Sequence, residues 1–166
     1  GNSCQSGAGI KYNCPEAPPL VGCTITANTG GEGGGIHCQS HELPLVMERC
    51  IVWGNCASGY GDEIYGQHLT LRCSLVNPAG VYDLSGDFTY ENCLFVDPRY
   101  CDPVPCGLTD AGDWRLDAGS PCLAENSPCG ELIGALGVGC GGPLPTGACC
   151  LPDGSCLVTT RPACED

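Results

Sequence analysis

The sequence is poor in positive charge, in aromatic side chains and in long apolar runs. Only 6 of its 166 residues are Lys or Arg, against 19 Asp or Glu, and Lys11 is the single lysine. So few scattered cations cannot form the basic patch that binds nucleic acid, which excludes that class of protein. No stretch approaches the roughly 18 apolar residues of a membrane-spanning helix. Residues 1–4 lack the features of a signal peptide, so we expect a processed form or a fragment.

Glycine, proline and cysteine are abundant instead. The 26 glycines and 14 prolines exclude a protein built from long helices, because both residues disfavour a helix interior. The 17 cysteines make up about a tenth of the chain, a level typical of secreted disulfide scaffolds. We therefore expect an extracellular or cell-surface protein. Because the count is odd, at least one cysteine is free or pairs between chains.

A cysteine followed by β-favouring residues recurs four times. The four positions are Cys23, Cys50, Cys73 and Cys93, at spacings of 27, 23 and 20 residues. A second pattern, an Ile or Val followed by a polar or aromatic residue, precedes each copy at 10–11, 36–37, 64–65 and 81–82. Each unit therefore carries two short strands separated by turns.

Side chains alternate between the two faces of a strand, so each repeated cysteine shares a face with the residue two positions later. That face is apolar in all four units, and the opposite face varies. A coil of stacked β-rungs has this property, because like residues lie above one another inside it. The alternative is an antiparallel sandwich, which the lack of Asn-Gly or Asp-Gly turns within the units disfavours. We predict an all-β fold, a short parallel β-helix of about four rungs with an irregular, disulfide-rich C-terminal segment.

The segments CTITANTGGEGGGIHC, ERCIVWGNCA, LRCSLV and CLFVDP resemble right-handed parallel β-helix proteins of the pectate-lyase-like superfamily, and more narrowly secreted bacterial β-helix repeat proteins. Residues 112–140 resemble the closing segment of such helices, and residues 147–164 resemble a small cysteine-rich module that follows it. The resemblance begins near Gly7 and implies fold and secretion. It leaves the chemistry open, because the superfamily includes lyases, hydrolases, adhesins and structural spikes.

This organisation divides the chain into four parts. We expect residues 1–22 to be an entry segment and a possible strand donor, residues 23–106 the rungs, residues 107–140 a cover over the open end, and residues 141–166 a linker and cysteine-rich module. Too small for a core, the module is expected to depend on two disulfides. The module contains four cysteines, Cys149, Cys150, Cys156 and Cys164. They lack CxxC spacing and a nearby histidine, so a zinc site is not favoured.

The four repeated cysteines are predicted to form a structural ladder inside the coil. Neighbouring strands lie about 4.8 Å apart, within the range of Cα separations that a disulfide spans. The ladder could therefore be bridged or reduced, and we favour mostly reduced thiols, because a buried free cysteine packs as a small hydrophobe.

Two sets of exposed residues are candidate binding strips. Lys11, His37, Tyr65 and Tyr82 occupy equivalent positions and could stack on or hydrogen-bond to sugars. Arg49 and Arg72, each directly before a ladder cysteine, could clamp a sugar acid. For both sets we favour the plainer interpretation, a variable exposed face for the first and ion pairs with local acids such as Glu48 for the arginines.

No catalytic residue is predicted. A hydrolase of this fold needs converging carboxylates, and no two acids fall at equivalent rung positions. Those considered were Asp62, Glu63, Asp83, Asp87, Asp97 and Asp102. The histidines His37, His41 and His68 have no recognisable catalytic partner. We expect no cofactor, and keep only calcium open, in the acidic stretches 83–87 and 110–113.

Two functional classes remain. We prefer a non-catalytic structural or adhesive extracellular protein, a rod segment that self-associates head to tail into a filament, with Gly1–Leu20 adding to the next subunit as a strand. The alternative is a carbohydrate-active fragment, either a polysaccharide lyase or a sugar-binding module acting on an extracellular polysaccharide.

Overall fold

The structure, a computed structural model, describes residues 1–12, 18–39, 44–108 and 111–142, together with the backbone of 146–150 and 156–160. Up to residue 94 the chain coils through four successive rungs of short strands. The first rung contains β1 (Ser3–Ser6), β2 (Ile10–Tyr12), β3 (Leu20–Val21) and β4 (Thr24–Ile25). The second contains β5 (Thr29–Glu32), β6 (Ile36–Cys38), β7 (Leu45–Glu48) and β8 (Ile51–Val52). The third contains β9 (Cys56–Ala57), β10 (Ile64–Gly66), β11 (Leu69–Arg72) and β12 (Leu75–Val76).

The fourth rung is shorter. A turn of 3₁₀ helix, Pro78–Gly80, replaces its first strand; β13 (Val81–Asp83) and β14 (Thr89–Glu91) follow, and Leu94 makes an isolated parallel bridge to Leu75. Stacking of the rungs gives four parallel sheets, ordered β1-β5-β9 (sheet 1), β2-β6-β10-β13 (sheet 2), β3-β7-β11-β14 (sheet 3) and β4-β8-β12 (sheet 4). The predicted parallel β-coil of about four rungs is confirmed.

Like residues stack inside the coil. In sheet 2 the column is Ile10, Ile36, Ile64 and Val81, and the two central isoleucines are completely buried. The same apolar cluster takes in buried side chains of sheets 3 and 4, namely Leu45, Met47, Leu69, Leu71, Ile25, Val52 and Val76. Because side chains alternate between the two faces of a strand, every second residue points into this interior, which explains the period of two in the apolar residues.

The corner between sheets 3 and 4 has the same length in every rung, with one residue in the left-handed backbone region. These residues are Gly22, Arg49, Cys73 and Asn92, with φ of 60°, 53°, 45° and 52°. Only the first is glycine, the residue for which this conformation is least strained.

The strand register corrects the predicted cysteine ladder. Thr24 lies opposite Ile51, Ile51 opposite Leu75, and Leu75 opposite Leu94. The residues preceding these are Cys23, Cys50, Ser74 and Cys93, so Ser74 takes the ladder position assigned to Cys73. Displaced by one residue, Cys73 occupies the left-handed corner and forms a disulfide with Cys129.

A column of buried asparagines runs beside the apolar interior. The Asn28 side chain donates to Asn55 Oδ1 at 2.9 Å and accepts from the Asn2 backbone N–H at 2.9 Å. Asn55 Nδ2 donates in turn to Glu63 Oε2 at 2.6 Å. Gly9 and Gly35 face this column, because a Cβ on either would lie 2.9 Å from an asparagine Nδ2 atom. Glu63 stands at the position equivalent to these glycines, and its carboxylate ends the column.

Residues 97–108 and 111–142 form a lateral segment against the outer face of sheet 4. It contains β15 (Tyr100–Asp102), β16 (Asp113–Asp117) and β17 (Val138–Cys140), ordered β15-β16-β17. A second apolar cluster joins it to the coil, where Leu116, Cys122 and Ile133 pack with Ile51 and Leu75. Its backbone also donates hydrogen bonds to Arg49 O (2.7 Å) and Thr24 Oγ1 (2.9 Å).

The structure corrects the predicted placement of two segments. Residues 107–140 were expected to cover an open end, but the described part of that range lies along the side of the coil across three rungs. Residues 1–22 were expected to precede the coil, but β1, β2 and β3 are its first rung, paired in parallel with the second rung of the same chain. Strand donation by this segment would require these pairs to separate, which argues against it.

Two further strands, β18 (Thr146–Cys150) and β19 (Cys156–Thr160), pair antiparallel near the C-terminus. The predicted disulfides of the cysteine-rich module fall on residues outside the described set or on strands whose backbone alone is described. Among the described residues, no helix is long and apolar enough to cross a membrane.

Candidate functional site

Lys11, His37, Tyr65 and Tyr82 lie in exact register on sheet 2, as the repeat predicts. The His37 and Tyr65 rings are 5.1 Å apart, and Tyr65 stacks on Tyr82 at 5.6 Å with 13° between the ring planes. Tyr60, from the loop before β10, packs against Tyr82 at 4.7 Å. The strip is not uniformly exposed, because His37 is buried and its ring nitrogens have no hydrogen-bond partner among the described residues. What reaches solvent is a patch of three tyrosines with Lys11 at the far end.

The two arginines do not form a clamp. Arg72 lies opposite Glu48 and Glu91 in sheet 3, and its Nε donates to Glu91 Oε2 at 3.0 Å. Arg49 occupies the corner instead, and its Nη1 lies 2.8 Å from Glu131 Oε2 of the lateral segment. Their shared position directly before a predicted ladder cysteine does not bring the two arginines into register, because Arg49 aligns with Cys73. Each arginine has a carboxylate partner, so both are structural ion pairs.

The acidic turn 83–87 uses its oxygens internally. Asp83 accepts hydrogen bonds from the backbone N–H groups of Ser85, Gly86 and Phe88. Burial alone would raise the pKa of Asp83, but these bonds outweigh it and the pKa falls below its ordinary value. Asp87 bonds to Ser85 and His68, and these contacts lower the pKa of Asp87. Of the other acidic stretch, Asp110 lies outside the described residues, as does His41.

No group of three or more His, Cys, Asp or Glu side chains is arranged to hold a metal ion within the part of the chain that the structure describes. The acids considered at the sequence level are scattered through that part. Asp62 accepts from the Ala57 N–H, Asp97 accepts from the Arg99 N–H, and Glu63 ends the asparagine column.

The fourth rung presents unpaired strand edges together with exposed apolar side chains. In the described part of the chain, β13 and β14 each pair on one side only. The exposed fractions of Tyr90, Phe95 and Val96 are 41%, 45% and 51%, and the Tyr90 and Phe95 rings meet edge to face at 5.4 Å. This end of the coil, which we call the fourth-rung face, is a surface suited to covering by another strand layer.

A cavity of about 370 Å³ opens where the lateral segment meets the coil. Trp53 and Asn77 line it from the coil, Tyr100 and Trp114 from the lateral segment, and the Cys56–Cys106 disulfide joins the two sides. Its size falls in the range of small-molecule pockets. Sequence analysis missed it because its residues come from distant segments, although it holds both tryptophans of the chain.

Comparison with protein-family models, curated proteins and solved structures finds no match to this chain. The geometry alone therefore supports the functional argument.

Proposed function

We propose that this protein is an extracellular, non-catalytic structural or adhesive β-solenoid that stacks head to tail on copies of itself. The fourth-rung face carries the proposal, because it combines free strand edges with exposed aromatic and aliphatic side chains. Disulfides between coil and lateral segment fit an oxidising compartment, which agrees with secretion. The coil is also compatible with the pectate-lyase-like superfamily that the repeat segments resemble.

The first rung is a suitable partner for the fourth. The corner between sheets 3 and 4 is equally long in both, so Tyr90 and Leu94 can align with Leu20 and Thr24 of a second copy. Continued in the same register, Val81 would lie on Ile10 of that copy.

Charge also favours this pairing. Rung four, residues 81–96, contains three acids (Asp83, Asp87 and Glu91) and no base. The described residues of rung one, 1–12 and 18–27, contain Lys11 and no acid. In register, Lys11 of one copy would lie over the Tyr82 ring of another, a cation–π arrangement. The acidic fourth-rung face would thus meet Lys11 and avoid a second acidic face, which favours head-to-tail contact over contact between two fourth-rung faces.

Sedimentation velocity of the intact protein tests the stacking. We expect wild-type protein to form oligomers that grow with concentration, and Phe95→Asp to remain monomeric because a charge would be buried between rungs. Leu136→Asp is the matched control, since Leu136 is exposed to a similar degree on the lateral segment. Wild-type protein that stays monomeric at every concentration would contradict the proposal, as would equal disruption by both substitutions.

Mild oxidation tests the register. In the proposed stack Cys93 of one copy lies over Cys23 of the next, at strand spacing. We expect a covalent dimer whose linked peptides contain these cysteines; Cys93→Ser removes it and Cys4→Ser does not. A dimer linked only through Cys4, an exposed thiol, would argue against this register.

The tyrosine patch favours a second candidate, binding of an extracellular polysaccharide. Tyr60, Tyr65 and Tyr82 offer contiguous ring surface against which sugar rings could stack. Retardation in polysaccharide-containing native gels tests this, with Tyr82→Ala expected to abolish it and Tyr90→Ala, on the fourth-rung face, to leave it unchanged. Release of unsaturated products from pectate would instead favour the lyase alternative.

A further inference from the structure

The cavity between coil and lateral segment has aromatic walls and no positive charge. Trp53, Tyr100 and Trp114 line it, and the Tyr100 and Trp114 rings meet at 5.3 Å and 89°, so two perpendicular ring planes form a corner. All its lining residues are described, and none is Lys, Arg or His. Aromatic faces carry negative partial charge and attract cations, most strongly when water is excluded.

Two carboxyl groups add to this potential. The carboxylate of Glu63 is engaged by the Gly54 N–H and the Asn55 side chain. Asp62 uses Oδ1 to accept from the Ala57 N–H at 2.7 Å, and Oδ2 has no partner among the described residues. The formal net charge of −13 adds long-range attraction for positive ligands.

The cavity wall also contains polar groups that the described chain leaves unsatisfied. Tyr100 is 9% exposed, and its buried hydroxyl lies beside the buried Thr26 hydroxyl in the same wall. Neither hydroxyl has a well-formed hydrogen bond among the described residues. The side chain of Asn77 accepts from the Ala79 N–H through Oδ1, and its amide N–H groups have no partner among the described residues. Unsatisfied buried groups are destabilising, and a ligand hydroxyl would relieve this.

We propose that this cavity binds a small organic cation with an N-methylated ammonium head and a hydroxyl group, of which choline is the simplest example. The methyl groups pack on the indole and phenol rings, the positive charge is balanced by Asp62, and the hydroxyl meets the polar wall. An anionic sugar is disfavoured by the same carboxyls, and a neutral sugar could hydrogen-bond to them but lacks the positive charge that they and the ring faces attract. The inference does not depend on head-to-tail stacking.

Intrinsic fluorescence reports this site directly, because both tryptophans of the chain line the cavity. Titration of the whole protein with choline should give a saturable change. The neutral analogue 3,3-dimethylbutan-1-ol, which has the same shape without the charge, should bind at least about tenfold more weakly because it lacks the cation–π attraction.

Variants separate charge from packing. Asp62→Asn keeps the acceptor for the Ala57 N–H and should weaken choline binding at least about threefold, since one facing charge is lost. Glu125→Gln, which removes an equal charge from the exposed surface of the lateral segment, should leave binding unchanged. Trp114→Phe retains a ring and Trp114→Leu does not, so the second should weaken binding more while Trp53 still reports it. Disulfide mapping checks that each variant has the native fold.

Three results would overturn the proposal: no saturable change with choline, equal affinity for the neutral analogue, or tighter binding of a neutral sugar such as glucose. Cosedimentation with phosphatidylcholine vesicles distinguishes the source of the ammonium group. Binding of both choline and vesicles assigns a lipid headgroup, and binding of free choline alone assigns a soluble ligand.

Discussion

The thiols that line the coil interior and the cysteines that join the coil to the lateral segment have different chemistry. Cys23, Cys50 and Cys93 point into the coil and are free thiols, and burial raises the pKa of the Cys50 thiol to about 11. On the outer side of the coil, Cys56 and Cys73 form disulfides with Cys106 and Cys129 of the lateral segment. Within that segment Cys101 is bonded to Cys140, and Cys122 is a buried free thiol. A buried thiol with a raised pKa is a poor nucleophile, so we expect Cys50 to resist oxidation, whereas Cys23 and Cys93, at the two ends of the ladder, are less buried.

This contrast reflects how each region is stabilised. In the coil every rung repeats the same packing and buries its inner face on the next rung, and the ladder thiols Cys23, Cys50 and Cys93 are not crosslinked. The described part of the lateral segment contains three short strands and no repeated partner layer. Crosslinks hold such a segment by limiting the conformations of its unfolded state.

The largest expected effect separates the two regions. Replacing both Cys73 and Cys129 with Ser opens a loop of 56 residues, which should destabilise docking of the lateral segment by about 4 kcal/mol. Hydrogen exchange should then show lost protection in residues 111–142 and retained protection in strands β6, β7, β10 and β11. The Cys4→Ser variant is the control, and equal loss in both regions would show that they unfold as one unit.

A smaller effect should come from the asparagine column. In Asn55→Ala the partners Asn28 and Glu63 remain buried with groups unsatisfied, so the free energy of unfolding should fall by about 2 kcal/mol. Asn126→Ala is the matched change in the lateral segment, where an exposed side chain donates one bond to Ser120 O at 2.9 Å. Chemical denaturation should show a loss below about 1 kcal/mol there; equal losses would contradict a special role for the column.

The smallest expected effect concerns pH. Burial raises the pKa of Glu63 despite hydrogen bonds from Asn55 and Gly54. The folded state therefore binds the proton more tightly than the unfolded state, so this group's contribution is fully present below the ordinary value of 4.5 and is lost as pH rises through the raised pKa. Glu63→Gln should flatten that part of the stability–pH profile measured by thermal melts. A wild-type stability that increases across this interval through Glu63 would show that the hydrogen bonds outweigh burial.

The coil could be predicted from the sequence because strand alternation and a repeated Ile or Val identify the residues that face its interior. The register of Lys11, His37, Tyr65 and Tyr82 followed from the same repeat and is confirmed. The cavity could not be predicted from the sequence, because contacts between distant, non-repeating segments produce no periodic pattern of residues.

The misplacement of Cys73 has a specific cause. Matching by cysteine ignores the paired apolar residues that precede it, Leu45 and Met47 in the second rung and Leu69 and Leu71 in the third. Matching by those pairs places Ser74 opposite Cys50, as the structure does. Burial of two apolar side chains constrains register more strongly than one recurring thiol.

Disulfide mapping by mass spectrometry, after alkylation of free thiols in denaturant, tests the central claim most directly. The parallel coil with Ser74 in the ladder predicts peptides linked through Cys73–Cys129, Cys56–Cys106 and Cys101–Cys140, with Cys23, Cys50 and Cys93 alkylated in the monomer. A Cys50–Cys73 or Cys73–Cys93 link, or an alkylated Cys73, would place Cys73 inside the coil and contradict the register from which the stacking and the cavity are both derived.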